Sequence, residues 1–336
     1  MQRKPTLKTY KYRIYPTDAQ VVLFAKTFGC CRLVWNKMLE EKLRAYEKKE
    51  RVPLINPAKY KLDFPFLKEV DRFVLIAVRN QIENAFRNHF KNPEKFKLPK
   101  FRKKKDKQSY TIYNVRKLLR VDFKRSLLFL PKIEEGVKIE LHRRFDGKIK
   151  SVTIIRTNDG KYYASILVET QDTRNKVVKP KSKLCWICLG LERFATVTND
   201  FGSYEVEHPK YLLKAKERLK RLQRSLSRKQ KGSKNSEKTR LRLARQYAYI
   251  SNARSDFLHK LSKAIIDENQ IVMVEDINMK GVLKSRLAKS VADSGWSKFL
   301  KYLKYKSEWY GRTFTQVDRF FPSSKLCHRC GYKKKT

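Results

Sequence analysis

Acidic residues are scarce in this chain of 336 residues, where 33 aspartates and glutamates face 80 lysines and arginines and the formal net charge is +47. An excess of this size is far greater than solubility requires, and it opposes compaction unless a polyanion is bound. Hydrophobic residues make up 41% of the chain and aromatic residues 12%, which is the composition of a folded protein. The charge therefore predicts a nucleic-acid partner.

Long hydrophobic runs are missing as well. No run approaches the roughly 18 to 20 apolar residues of a membrane span, and the N-terminal MQRKPTLKTYKY has no apolar signal-peptide core. The six cysteines are scattered through the chain rather than spaced as in a small secreted scaffold. We therefore expect no membrane partner and a reducing, cytoplasmic location.

The N-terminal residues predict a half-buried strand followed by a helix. KTYKYRIYP alternates between two faces, with Lys11 and Arg13 on the face opposite its buried positions. Thr17 and Gln20 have the spacing of a capping box, which predicts that a helix begins there.

A second helix, predicted over about 69–90, has two distinct faces. Its apolar set is Phe73, Ile76, Ala77, Ile82, Ala85 and Phe86. Its polar face is rich in amides and arginines, namely Arg72, Arg79, Asn80, Asn84, Arg87 and Asn88. Such a face can contact phosphates and base edges, although a merely solvated face also fits the pattern. The basic loop KLPKFRKKKDK follows directly and favours nucleic-acid binding.

Residues 109–170 predict a series of strands. SVTIIRT and KYYASILVE are joined by Asn158-Asp159-Gly160, which is a strong hairpin signal. Together with the first strand, this region predicts a small antiparallel barrel interrupted by the two helices. The polar, lysine-rich residues 171–182 predict a linker.

The second half of the chain predicts a different module. WICLGL, FATVTND and SYEVE are three strands of a meander, followed by long basic helices over about 209–230 and 237–269. IVMVED predicts a short buried strand, and a last helix is predicted over about 295–310.

Three short segments could carry chemistry. The buried strand ends on Glu275, which could be a metal ligand or simply a surface or capping acid. Cys327 and Cys330 form a CxxC knuckle, but no second cysteine or histidine pair follows in the sequence, so it is half of a zinc site. Cys185 and Cys188 have the same spacing, yet residues three apart on a strand face opposite ways and do not converge on a metal. In this apolar strand we expect Cys188 to be a buried thiol.

The order of these motifs resembles the TnpB proteins of bacterial insertion sequences along nearly the whole chain. The segments that carry the resemblance are YKYRIYPTDAQ, FGCCRLVWNKML, AFRNHF, PKFRKKK, LGLERFATVTNDFG, SNARSDFLHKLSKAI, VMVEDINMKG, ADSGWSKFLKYLKYKSEWYG and FPSSKLCHRCG. TnpB proteins are RNA-guided DNA endonucleases related to the compact CRISPR effectors. The resemblance therefore implies a guide RNA, a complementary double-stranded DNA target, a monomeric ribonucleoprotein and a place at the bacterial nucleoid.

The resemblance also implies an α+β, multidomain fold. An antiparallel wedge barrel is expected over 1–15 and 99–178, and a helical recognition insertion over 16–98. A RuvC-type domain with a ribonuclease H-like fold is expected over 179–317, and a truncated zinc-ribbon remnant over 318–336.

The departures from the family pattern concern the nuclease site. Active TnpB proteins have an aspartate where this chain has Cys188, a glutamate that matches Glu275, and a third acid past the zinc ribbon, which here would lie beyond Thr336. These three hold two Mg²⁺ ions, whereas a thiol is a poor ligand for Mg²⁺. We therefore expect no catalytic Mg²⁺, no bound zinc and no nuclease activity, and we expect that Cys188→Asp alone does not restore cutting. Neither Glu192, Asp200, Asp293 nor Asp318 is expected to substitute.

The resemblance assigns further residues to nucleic-acid binding. Arg72, Phe73 and Ile76 match the segment that reads a short flanking DNA motif, and Asn114 and Arg116 lie in the matching wedge segment. Phe73 and Ile76 could equally belong to the helix core, and Ile76 replaces a residue that is commonly polar. The phosphate-contacting candidates are Lys11, Arg13, Arg79, Arg87, Arg102, Lys103, Lys104, Arg218, Arg221, Arg228 and Arg254.

Three functions fit these observations. The first is a nuclease-dead, RNA-guided DNA-binding protein that represses transcription, as in the nuclease-dead TnpB-like repressors. The second is an active nuclease whose metal site is completed by an unusual residue or a partner chain. The third is a transposon remnant that binds RNA without specificity.

Overall fold

The computed structural model describes residues 6–170, 179–275 and 293–317, apart from the side chain of Arg116. The chain divides into two compact units, Met1–Gln171 and Asp172–Thr336. This division falls at the start of the predicted linker. None of the helices in the described ranges is long and apolar enough to cross a membrane.

Residues 6–170 of the first unit contain three α-helices, α1 (Asp18–Glu47), α2 (Tyr60–Asp63) and α3 (Arg72–Lys91). The predicted capping box is present, because Thr17 Oγ1 accepts from the Gln20 amide while Gln20 Oε1 accepts from the Thr17 amide. Helix α3 starts three residues later than predicted. The Asp71 side chain caps it by accepting a hydrogen bond from the Phe73 amide at 2.8 Å.

Seven strands form one antiparallel sheet in the first unit. They are β1 (Thr6–Tyr15), β2 (Gln108–Tyr113), β3 (Arg120–Asp122), β4 (Leu127–Leu130), β5 (Ile133–Glu140), β6 (Lys148–Arg156) and β7 (Tyr162–Thr170). Their order is β2-β6-β7-β1-β5-β4-β3. The predicted hairpin joins β6 to β7, and Gly160 has the positive φ of +79° that such a tight turn requires. The sequence predicted a small antiparallel barrel, and a curled antiparallel sheet with this strand order fits that prediction.

Helices α1 and α3 share one hydrophobic core with this sheet. They run parallel, because Lys26 pairs with Glu69 just before α3 while Lys42 pairs with Glu83 further along both helices. The predicted apolar set of α3 is incomplete. The buried side chains are Val74, Leu75, Ala77, Val78, Ile82 and Phe86, Phe73 and Ala85 are half-buried and pack against the core, and Ile76 is half-buried.

The second unit is built on a mixed sheet of five strands. They are β8 (Ser182–Leu189), β9 (Arg193–Asn199), β10 (Gly202–Glu207), β11 (Asn269–Glu275) and β12 (Thr313–Val317), in the order β10-β9-β8-β11-β12. The first three form the predicted antiparallel meander. Strand β11 pairs in parallel with both β8 and β12, which places the carboxyl ends of these three strands at one edge.

Within residues 179–275 and 293–317, three helices accompany this sheet, α4 (Tyr211–Ser227), α5 (Lys234–Glu268) and α6 (Trp296–Tyr310). The C-terminal part of α5 and all of α6 pack on the sheet through Leu258, Ile265, Phe299 and Leu303. The contact between α4 and α5 has only a small core, which consists of Ala215, Leu219 and Ile250. This helical hairpin therefore exposes most of its basic side chains.

Lys306 of α6 is buried, and none of the described carboxylates forms an ion pair with its ammonium. Its Nζ donates to the backbone carbonyl of His259 at 2.6 Å and to Ser262 Oγ at 2.8 Å. Burial, together with the nearby Lys263, lowers the pKa of Lys306 from 10.5 to about 8, while Asp267 acts in the opposite direction. Between these two pH values the unfolded chain holds a proton that the folded protein has lost.

This difference predicts a pH-dependent stability. As the pH rises from about 8 to about 10, we expect the wild-type protein to gain stability relative to Lys306→Met, by up to roughly 1.4 kcal/mol per pH unit. Chemical denaturation at each pH measures the effect. Lys304→Met removes an exposed lysine from the same helix. Its free energy of unfolding should change with pH in the same way as that of the wild type. Parallel curves for Lys306→Met and wild type would contradict the assignment.

Candidate nucleic-acid interface and strand-end site

Cys188 and Glu275 occupy neighbouring positions at the carboxyl ends of two parallel strands. The register pairs Ile187 of β8 with Val274 of β11, so the next residues along the strands are Cys188 and Glu275. Ile187 and Val274 are fully buried in the core. Since side chains alternate along a strand, Cys188 and Glu275 share the opposite face of the sheet. The structure thus brings together the two residues that the sequence assigned to a vestigial site.

The thiol of Cys188 is exposed, so the expectation that it is buried is wrong. Its Sγ accepts a hydrogen bond from the indole nitrogen of Trp186 at 3.0 Å. Cys185 lies on the core side of the same strand and is fully buried, and its burial raises the pKa of its thiol to about 12. The two cysteines therefore face opposite ways, as their spacing predicted.

The other carboxylates considered as replacements lie elsewhere or are engaged. Asp200 accepts from Ser182 Oγ and from the Lys183 amide at the opposite end of β8. Asp293 is buried and bonded to Arg254 and to the Leu212 amide. Glu192 is exposed in the loop after β8, and Asp318 lies outside the described residues.

The described residues at this strand end do not fit a pair of Mg²⁺ ions. Mg²⁺ requires oxygen ligands in nearly octahedral geometry, and among these residues Cys188 supplies sulfur beside the carboxylate of Glu275. In residues 6–170, 179–275 and 293–317 there is no group of three histidine, cysteine or acidic side chains that could hold a metal. Cys327 and Cys330 lie outside these ranges.

The contrast between the two thiols of β8 predicts a simple labelling result. Trypsin releases residues 184–193 as one peptide, which contains both Cys185 and Cys188. Iodoacetamide should modify Cys188 in the native protein and Cys185 only after unfolding, because alkylation requires an accessible thiolate. Fragment-ion mass spectrometry distinguishes the two positions. Cys188→Ser should leave the native peptide unlabelled, and equal protection of both thiols would refute the described exposure.

The residues matched to DNA-motif reading lie at the start of α3. Arg72 is exposed and its guanidinium lies 4.8 Å from the centre of the Phe73 ring. Phe73 and Ile76 are half-buried and one turn apart, and Phe73 also packs against the hydrophobic core. All three side chains are therefore partly accessible for contact.

Asn114 has a structural role at the end of β2. Its side-chain oxygen accepts from the Leu119 amide at 2.9 Å, and its amide nitrogen donates to the Ile149 carbonyl at 2.9 Å. These bonds hold the turn that exposes Tyr113, Val115 and Leu118. The side chain of Arg116 lies outside the described residues.

The candidate phosphate contacts differ in exposure. Seven of them are exposed, namely Lys11, Arg87, Lys103, Lys104, Arg218, Arg221 and Arg228. Arg13 is half-buried on the outer face of β1, where its guanidinium lies 5.3 Å from the ring centres of Tyr15 and Tyr163. Lys11 lies 4.4 Å from the same Tyr163 ring, so this strand carries a basic and aromatic strip. Arg79 is also half-buried.

Arg102 fixes the basic loop to the helices, a role that the sequence did not indicate. Its guanidinium stacks 3.6 Å from the Trp35 ring centre and donates to Gln81 Oε1 at 3.1 Å. Asn36 accepts from the Arg102 amide at 2.8 Å and donates to its carbonyl at 3.0 Å. The neighbouring Lys103 and Lys104 are thereby held at the surface.

Arg254 is engaged within the second unit. It forms an ion pair with the buried Asp293, which also accepts from the Leu212 amide in the first turn of α4. A side chain at Gly295, where φ is +72°, would meet Arg254 Cδ at 3.2 Å. The Arg254 charge is thus neutralised by a partner, in contrast to the exposed arginines of α4.

The two units and their motifs define a class of basic, transposon-encoded proteins. A family model described as probable transposase matches residues 165–286, and a Cas12f1-like TNB domain model matches 296–336. A helix-turn-helix domain model matches residues 1–51, where the described residues form β1 and the single continuous helix α1.

Curated relatives and a solved structure agree with this class. A putative RNA-guided DNA endonuclease from Streptomyces pristinaespiralis is 34% identical over 334 residues, covering 96% of this chain and 80% of the relative. The Escherichia coli K12 putative RNA-guided DNA endonuclease InsQ is 26% identical over 98% of this chain and 84% of its own. The chain belongs to the TnpB family. A Cas12f1–sgRNA–target DNA complex shares the fold, with a TM-score of 0.57, 13% identity and coverage of 99% of this chain and 93% of that chain.

Proposed function

We propose that this protein binds a guide RNA, occupies a complementary double-stranded DNA beside a short flanking motif, and represses transcription without cutting the DNA. The observation that carries the proposal is Cys188, which takes the place of a metal-binding aspartate beside Glu275. The mixed sheet, with β11 parallel to β8, supports the assignment of this unit to a ribonuclease H-like, RuvC-type fold.

Loss of the metal ligands removes cutting for a physical reason. A two-metal reaction needs both ions to stabilise the attacking and leaving oxygens of the phosphodiester. A neutral thiol supplies neither the charge nor the oxygen that Mg²⁺ prefers. A missing ligand therefore abolishes the reaction rather than slowing it modestly.

Binding does not depend on those ligands. Phosphate contacts by lysine and arginine provide most of the affinity for nucleic acids, and the exposed basic residues of both units remain. In RNA-guided systems base pairing reads the target, while the protein holds the heteroduplex by its backbone. A complex that stays bound to an intact promoter obstructs RNA polymerase, and this is the repression that we propose.

The central test compares binding and cleavage on one duplex. RNA that co-purifies with the protein is sequenced, and a matching duplex is incubated with the ribonucleoprotein in Mg²⁺. We expect protection of the matched duplex, no protection of a scrambled duplex, and no strand cleavage. Cleavage by the wild type would instead support an active endonuclease, as the relatives are named. Protection of both duplexes alike would indicate a nonspecific nucleic-acid binder.

Cys188→Asp tests whether one ligand is enough. We expect this variant to bind the matched duplex without cutting it, because no third acidic side chain in the described ranges joins Cys188 and Glu275. Cys188→Ser serves as the matched control for the substitution itself. Recovery of cleavage by Cys188→Asp would show that the site is otherwise complete.

The basic loop predicts a change in salt dependence. Lys103→Ala/Lys104→Ala should weaken RNA binding and lower the slope of log affinity against log salt by roughly 1 to 2, because up to two phosphate contacts are lost. The control is Lys26→Ala/Lys150→Ala, which removes the same formal charge from lysines already paired with Glu69 and Glu169. Equal slopes for both double variants would contradict a direct contact by the loop.

A further inference from the structure

An aromatic depression lies in the first unit where α1 and α3 end, and the basic loop does not line it. Tyr46 is 39% exposed and Phe90 is 51% exposed, and their ring centres are 5.9 Å apart. His89 contacts both rings, at 6.2 Å from Tyr46 and 5.6 Å from Phe90. The ring centre of the buried Phe86 lies 6.0 Å from that of Phe90, so Phe86 packs against it. Exposed aromatic rings are thus held in place rather than left to move freely.

The depression has a volume of about 750 Å³ and a charged border. It is lined by Tyr46, Glu47, Lys49, Glu50, Arg51, Val52 and Phe90. In the described residues no ion pair is formed by Lys49 or Arg51, so their charges remain available to a ligand. Glu47 and Glu50 place carboxylates in the same lining, where they can accept hydrogen bonds.

The backbone at this border is constrained. Lys49 has a φ of 58°, in the left-handed region that normally favours glycine. It is held there because its amide donates to the Tyr46 carbonyl at 3.0 Å and the Glu50 amide donates to the Ala45 carbonyl at 2.9 Å. A lysine in this conformation costs free energy that glycine would not. The chain nevertheless presents a cation here.

The electrostatics of the depression favour a base inside and a phosphate at the border. The carboxyl ends of two parallel helices converge on it, and a helix carries partial negative charge at that end. These ends, with Glu47 and Glu50, disfavour a phosphate in the interior and favour the amino groups of a base. The cations at the border, in contrast, favour a phosphate there. Aromatic rings stack on any nucleobase, and unpaired RNA bases are commonly recognised in this way.

We propose that this depression binds one unpaired nucleotide of the RNA, whose base stacks on Phe90 and packs against the Tyr46 ring, which is tilted by 42° from Phe90, while Lys49 and Arg51 contact its phosphate. The proposal rests on the proposed function, because it assumes that RNA is the resident partner. A base with an exocyclic amino group, such as adenine, suits the carboxylates of the lining. The ligand is therefore a single-stranded segment rather than a helix.

The test measures the affinity of the full-length, RNA-free protein for a short single-stranded oligoadenylate by fluorescence anisotropy over a series of salt concentrations. Tyr46→Ala/Phe90→Ala should weaken binding by about tenfold or more at every salt concentration, with an unchanged slope, because stacking releases no counterions. Tyr46→Phe/Phe90→Tyr keeps the rings and should retain the affinity. Phe66→Ala removes a 47% exposed aromatic of the same unit outside the depression and should change nothing.

Each other outcome overturns the proposal. Wild-type affinity in the alanine variant, or an equal loss in Phe66→Ala, would exclude a stacking site. A changed oligomeric state in sedimentation with unchanged RNA affinity would make the depression an interface between copies of the chain. If matched DNA is still protected, and Lys103→Ala/Lys104→Ala still lowers the slope of log affinity against log salt, then the failed stacking test contradicts this inference and not the proposed function.

Discussion

Mutual repulsion of positive charge is the constraint on which the rest of the structure depends. A chain with a net charge of +47 can fold only if its cations stay near water or find a partner. In the described residues two lysines are buried, and each has a specific arrangement around its ammonium. Lys42 donates a hydrogen bond to the Pro53 carbonyl and forms an ion pair with Glu83. Lys306 donates to the His259 carbonyl and to the Ser262 hydroxyl. The remaining basic side chains reach the surface, at least in part, where nucleic acid can neutralise them.

The same constraint explains which elements were predictable from the sequence. Strand alternation, the capping box at Thr17 and the hairpin at Gly160 are local signals, and the structure follows them. The part of the α3 core that the pattern missed has a tertiary cause, because packing of α3 against both α1 and the sheet buries Val74, Leu75 and Val78. Periodicity gives the spacing of an apolar face, and the neighbouring element decides which face is covered.

The candidate site was predictable to a similar degree. The sequence predicted that Cys188 and Glu275 belong together, and the parallel register of β8 and β11 places them side by side. It did not predict that the thiol is exposed, since the covering of a sheet face depends on elements far along the chain. The structural roles of Arg102 and Asn114 could not be predicted from the sequence either. Their partners, Trp35, Gln81 and Ile149, are distant in sequence and have no common motif.

The position of β1 has a consequence for synthesis of the protein. β1 lies between β7 and β5, and its residues 6–14 pair with residues 162–170. The sheet of the first unit is therefore incomplete until nearly the whole unit has left the ribosome, and contacts this distant in sequence form slowly. During that interval the basic N-terminal half lacks its completed sheet while it is exposed to cellular RNA. For the proposed RNA-guided function, timely encounter with the guide RNA would therefore depend on translation as well as on affinity.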